Sequence, residues 1–202
     1  MIAAEALTAV GFAVGAVALF ASGLLGASLS ALCLGLGMGA VASLAAGATG
    51  FITLSCVGAA GALAIWVAER FPRIQPAPRL LGPSPATGKP RVFGERGLRA
   101  LLGGVGLFTA RLLSGHLAAG TVTTQGPAFA CLFVFEVGLI WIGTGRGPRD
   151  LGVGGLCAGM AAAAFIWLSQ PATSPGLALV VAGVPAAILL ALAHATPWES
   201  QA

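Results

Sequence analysis

Charge is what this sequence has least of. Ten basic and six acidic side chains are all that 202 residues carry. A soluble domain needs about 25% charged residues to keep its surface wetted. At 8% this chain could not cover a water-facing globule of its size. That excludes water as its main surroundings and implies a largely hydrocarbon one. Tyrosine is absent and histidine occurs only at His116 and His194. So few acids and imidazoles leave little basis for a soluble-type catalytic site. There is also no P-loop, nucleotide fingerprint, HExxH, Ser/His/Asp arrangement or CxxC. The cysteines Cys33, Cys56, Cys131 and Cys157 each stand alone in an apolar run. None lies at metal-ligand spacing from another, so no metal site or disulfide framework is expected. They read as small buried apolar residues. No catalytic residue, metal or cofactor is therefore expected.

What is present is apolar and small. Hydrophobic residues make up 57% of the chain, with 31 glycines, and mean hydropathy is +0.97. In lipid, small residues let helix backbones approach closely, and packing rather than hydrophobicity drives their association. Runs such as Gly35-Leu36-Gly37-Met38-Gly39 and Gly103-Gly104-Val105-Gly106 fit that role. The expected fold class is all-α, a polytopic transmembrane helix bundle. A window of about 19 residues marks seven spans, near 5–25, 28–47, 50–68, 99–120, 128–144, 152–169 and 176–194. Each falls within the range of about 17–25 residues that can span a hydrocarbon core at about 1.5 Å per residue, some only just. The first lacks a basic n-region and exceeds a signal h-region, so it is expected to remain in the mature protein.

Composition changes abruptly between the third and fourth spans. Residues 69–98 hold six of the twelve prolines and Arg70, Arg73, Arg79, Lys89, Arg91 and Arg96, with Arg99 just beyond. Such a stretch reads as an extended linker. It divides the chain into a three-helix module (1–68), a basic Pro-rich linker (69–98) and a four-helix module (99–202). Arg146 and Arg149 lie in the loop after the fifth span. By the positive-inside rule both basic loops are cytoplasmic. The N-terminus is then outside and the C-terminus inside a plasma (inner) membrane. This placement also explains the pI near 9.4 without any nucleic-acid partner. Trp66, Trp141, Trp167 and Trp198 all fall near span ends, as an aromatic belt requires.

The tenth basic residue is Arg111, in the middle of the fourth span, and Glu136 lies in the middle of the fifth. An ionisable group inside the membrane costs several kcal/mol and marks a functional site or a paired charge by default. The two spans are consecutive and antiparallel. Each residue stands about nine positions from the connecting turn, roughly 13 Å deep at the helical rise. They are expected to pair or to lie along one polar path. The alternative is that Arg111 snorkels, or that the fourth span is shorter and Arg111 lies near a surface. His116 and His194 read as interfacial, with His116 a further candidate on the path. Glu5 reads as a terminal charge, and Thr121, Thr123, Thr124 and Gln125 as an uncharged polar turn.

Two stretches resemble membrane subunits of Mrp-type cation/proton antiporters and membrane-bound hydrogenases. Gly47-Ala48-Thr49-Gly50-Phe51-Ile52-Thr53-Leu54-Ser55-Cys56-Val57-Gly58-Ala59-Ala60 is similar to a segment of their three-helix module, itself related to the chain-6 (J-type) subunit of respiratory complex I. Gly115-His116-Leu117, followed by Phe129 and a span ending Gly143-Thr144-Gly145-Arg146, resembles a turn of the four-helix antiporter B subunit. The order of the modules matches the two families placed in series. Ser55 stands where the family carries an acid, and Ala119–Pro127 replaces its Gly-rich turn. The resemblance implies a non-catalytic membrane subunit of an ion- or proton-translocating complex, with Glu136, Arg111 and His116 along a polar pathway. Its expected partners are the lipid bilayer and other membrane subunits. The alternative is a stand-alone carrier or channel for a small solute or ion, although the halves show no convincing internal repeat.

Overall fold

The structure, a computed structural model, describes residues 2–20, 23–70, 92–117, 125–144 and 148–195. The described residues are helical apart from one short turn. In chain order they form α1 (Ile2–Phe20), α2 (Gly23–Arg70), α3 (Val92–Leu117), α4 (Gln125–Thr144), α5 (Pro148–Ser169) and α6 (Pro175–Ala195). Most of the Pro-rich linker, the polar turn at 121–124, and Trp198 lie outside the described residues.

The expected second and third spans fall within the single element α2. Its backbone leaves the helical region at Gly47, where φ is 57° and ψ −143°. That combination is essentially restricted to glycine. A continuous helix would hold Gly35 and Gly58 about 35 Å apart at the helical rise. Instead a Cβ on Gly35 would lie 2.8 Å from the Gly58 Cα, and one on Gly50 would lie 3.0 Å from the Ala42 carbonyl oxygen. The chain therefore reverses at Gly47 and α2 is a hairpin of two antiparallel limbs. Side chains at Gly35 and Gly58 would force those limbs apart.

The other elements assemble by the same small-residue logic. The Gly138 and Gly154 backbones meet where α4 crosses α5, and Gly159 lies on the Val181 and Ala182 carbonyls of α6. Pro185 in α6 has no N–H to offer the carbonyl four residues back, that of Val181. This is one of the two carbonyls that Gly159 covers. Ser174 caps α6 with its hydroxyl toward the Leu177 N–H, and Pro175 opens the helix where no amide hydrogen is needed.

Helix α5 is the central element, packed on α2, α4 and α6, while α1 packs on α2 and α4. The two sides of the linker thus share one apolar core, in which Leu34, Met38, Leu54, Ile65, Leu156, Met160 and Trp167 are fully buried. Phe12 of α1 stacks among Phe129 and Phe133 of α4, with centroids 6.0 and 4.9 Å away.

Three segments are long and apolar enough to cross a membrane, Leu25–Val67, Gln125–Thr144 and Asp150–Ser169. Glu5–Phe20 and Pro175–Ile188 are shorter apolar helices. Two expectations need correction. Cys131 and Cys157 are buried, but Cys33 and Cys56 are exposed on the limbs of α2. Trp141 and Trp167 do not join an outer belt. Both are buried, and their indole N–H groups donate to the carbonyls of Ala18 and Thr173 at 3.0 and 3.1 Å. Each satisfies its polar handle inside the bundle.

Candidate functional site

Glu136 sits in the middle of α4 on the side that meets α3. Its Oε1 shares a 2.6 Å hydrogen bond with Thr109 Oγ1. That hydroxyl also lies 3.1 Å from the Gly106 carbonyl oxygen, one turn earlier in α3. Gly106 makes room for the carboxyl, because a Cβ there would lie 2.6 Å from Oε2. Oε2 is buried without a hydrogen-bond partner among the described residues. Sequence reasoning found Glu136 but missed Thr109 and Gly106. The signal was available, since the two are separated by three residues and share one face of α3.

The expected partner is elsewhere. Arg111 is exposed, and no ion pair joins it to Glu136 among the described residues. The reason is helical phase. Arg111 follows Thr109 by two residues, about 200° around an axis that turns 3.6 residues per revolution. Equal depth below a turn brings two side chains to one level but not to one face. His116 is likewise exposed in the last turn of α3, apart from Glu136. Glu5 is exposed at the start of α1. The His194 side chain lies outside the described residues.

The ion pair that does form was not anticipated. Arg99, read from sequence only as a topological charge, is 9% exposed and Asp150 is 7% exposed. Their Nη2 and Oδ2 atoms are 3.8 Å apart. The Arg99 Nε–H donates to Thr144 Oγ1 at 3.2 Å, and that hydroxyl donates to the Ile140 carbonyl at 2.7 Å. The guanidinium lies over the Trp141 ring, 3.8 Å from its centroid, within cation–π range. Trp141 in turn bonds to Ala18 of α1. One arginine therefore joins the start of α3 to the end of α4 and the start of α5, and through Trp141 to the end of α1.

These two polar groups differ in chemical capacity. In the Arg99 cluster charge meets charge, and the Thr144 hydroxyl accepts from Arg99 and donates to Ile140. The Glu136 group is open, with a buried carboxyl oxygen unsatisfied and a hydroxyl facing two acceptors. Among the described residues no three His, Cys, Asp or Glu side chains gather as a metal site. No known family, curated protein or solved structure matches this chain.

Proposed function

We propose that this chain is a non-catalytic integral membrane subunit of an ion- or proton-translocating complex, of the antiporter, membrane-bound hydrogenase or complex I type. It lies in the plasma (inner) membrane as seven spans, N-terminus outside and C-terminus cytoplasmic. The two limbs of α2 supply two of the spans. The observation that carries this reading is the division between Glu136, in the middle of α4, and Arg111, six residues before the end of α3. Glu136 turns into the α3–α4 contact, where Thr109 meets it, and Arg111 turns outward. An intramembrane cation facing away from its own bundle calls for a counter-charge or a polar path supplied by a neighbour. The inward carboxyl supplies the titratable group of such a path.

The orientation rests on a second contact. Arg99 at the start of α3 meets Thr144 and Asp150, so the basic linker before α3 and the α4–α5 connection emerge at the same end. Both carry the arginines that the positive-inside rule assigns to the cytoplasm. The test is purification from the native membrane in mild detergent, followed by identification of what accompanies the chain. Other membrane subunits of an ion-translocating assembly are expected. Recovery as a lone species that catalyses flux in proteoliposomes would replace this reading with a stand-alone carrier.

A further inference from the structure

The hydrogen count at Glu136 identifies what the site holds. Thr109 Oγ1 lies 2.6 Å from Glu136 Oε1 and 3.1 Å from the Gly106 carbonyl oxygen. A threonine hydroxyl has one hydrogen, while a carboxylate and a carbonyl are acceptors only. With Glu136 ionised, Thr109 can satisfy one of them and leaves an anion in an apolar contact with one donor, which is costly. With a proton on the carboxyl, the acid donates to Thr109 and Thr109 donates to Gly106. Every hydrogen is then used and no net charge remains. The separation of 2.6 Å suits an O–H···O bond. Oε2 becomes the carbonyl oxygen of a neutral acid, lying against Gly106 and needing far less hydrogen bonding than a carboxylate would.

We propose that Glu136, Thr109 and Gly106 form a proton-binding site, occupied in this conformation, in which the Thr109 hydroxyl serves both protonation states. On release, the Glu136 O–H bond breaks and the proton leaves to water or to a neighbouring acceptor, leaving a carboxylate. The Thr109 hydroxyl then rotates from Gly106 to Glu136 and becomes the donor to that carboxylate. Gly106 is a positioning residue, because a side chain there would occupy the place of Oε2.

Charged and titratable groups lie on the elements around α4. Helix α3 carries Arg99, held by Asp150 of α5, and Arg111 and His116, both exposed. The side chains of Glu95 and Arg96 of α3 and of Arg149 of α5 lie outside the described residues. Helix α1 carries exposed Glu5, and Cys131 of α4 and Cys157 of α5 are buried. None of the described groups bonds to Glu136. The site depends on the proposed membrane setting but not on membership of a complex.

Infrared difference spectroscopy of the protein in lipid vesicles, stepped through neutral to alkaline pH, tests it. The expected result is a protonated-carboxyl C=O band at neutral pH that disappears in Glu136→Gln and moves in frequency in Thr109→Val. Thr109→Ser should restore it. Should Glu136→Gln fail to fold, Glu136→Asp moves the band instead of removing it. A spectrum at neutral pH with no Glu136-dependent C=O band, only carboxylate, overturns the proposal. That outcome would leave the co-purification result untouched, so the two failures are distinguishable.

Discussion

At the scale of the residue, neighbours rather than residue type decide what each polar group does. Arg99 and Arg111 stand on one helix twelve positions apart, yet one is buried in a network and the other faces outward. Breaking a buried ion pair by removing one partner costs about 3–5 kcal/mol, because the remaining charge is left uncompensated. Arg99→Ala and Asp150→Ala should each lower stability on that scale in a detergent-based thermal unfolding assay. Removing both should cost less than the sum of the two losses. A strictly additive pair would mean that the 3.8 Å contact contributes nothing. Glu136→Gln should couple to Thr109→Val in the same way. With Arg111→Ala it should instead be additive to within about 0.5 kcal/mol, since the two share no partner. The cysteines give an independent check of burial. A lipid-soluble carbene photoprobe should modify the peptide positions at Cys33 and Cys56 in the folded protein, and those at Cys131 and Cys157 only after unfolding, read by peptide mass spectrometry.

At the scale of the element, glycines fall into kinds that the sequence presents as alike. Gly47 has a positive φ and nothing within 4 Å of a Cβ, so substitution there is penalised by backbone conformation alone. Gly47→Ala should cost about 1–3 kcal/mol and weaken the α2 hairpin. Gly58 has an ordinary helical backbone but presses on Gly35 and the Ala31 carbonyl. Gly58→Leu should therefore separate the limbs and cost more than Gly47→Ala. Gly104 is helical with open space around it, and Gly104→Ala should be neutral or stabilising by up to about 1 kcal/mol. Thermal midpoints of the three variants measured side by side test the ranking. A destabilised Gly104→Ala would show that a neighbour covers that face of α3. The same distinction explains why the hairpin was only half legible. Hydropathy marks two apolar stretches on either side of residues 48–49, but reversal depends on one φ/ψ pair that composition does not encode.

At the scale of the whole molecule, the outward face of α3 is where association should register. Leu101, Val105, Phe108 and Leu112 are exposed there together with Arg111. If neighbouring subunits answer that cation, Arg111→Leu should reduce recovery of companion proteins several-fold, while Arg111→Lys retains them. Folding of the isolated chain should change little, because Arg111 makes no ion pair among the described residues. Native gel migration together with thermal stability separates the two effects.

The sequence alone determined the class of this protein. Scarcity of charge, abundance of small residues and apolar runs are one-dimensional properties, and they dictate helices that pack closely in a largely apolar setting. It also marked Glu136, because an acid within an apolar run is conspicuous without any structure. Tertiary structure decided which groups meet. Depth along a helix can be counted from sequence, but facing depends on helical phase, crossing geometry and the reversal at Gly47. Those turned Arg111 away from Glu136, brought Thr109 and Gly106 to it, and drew Arg99 inward to Asp150 and Trp141.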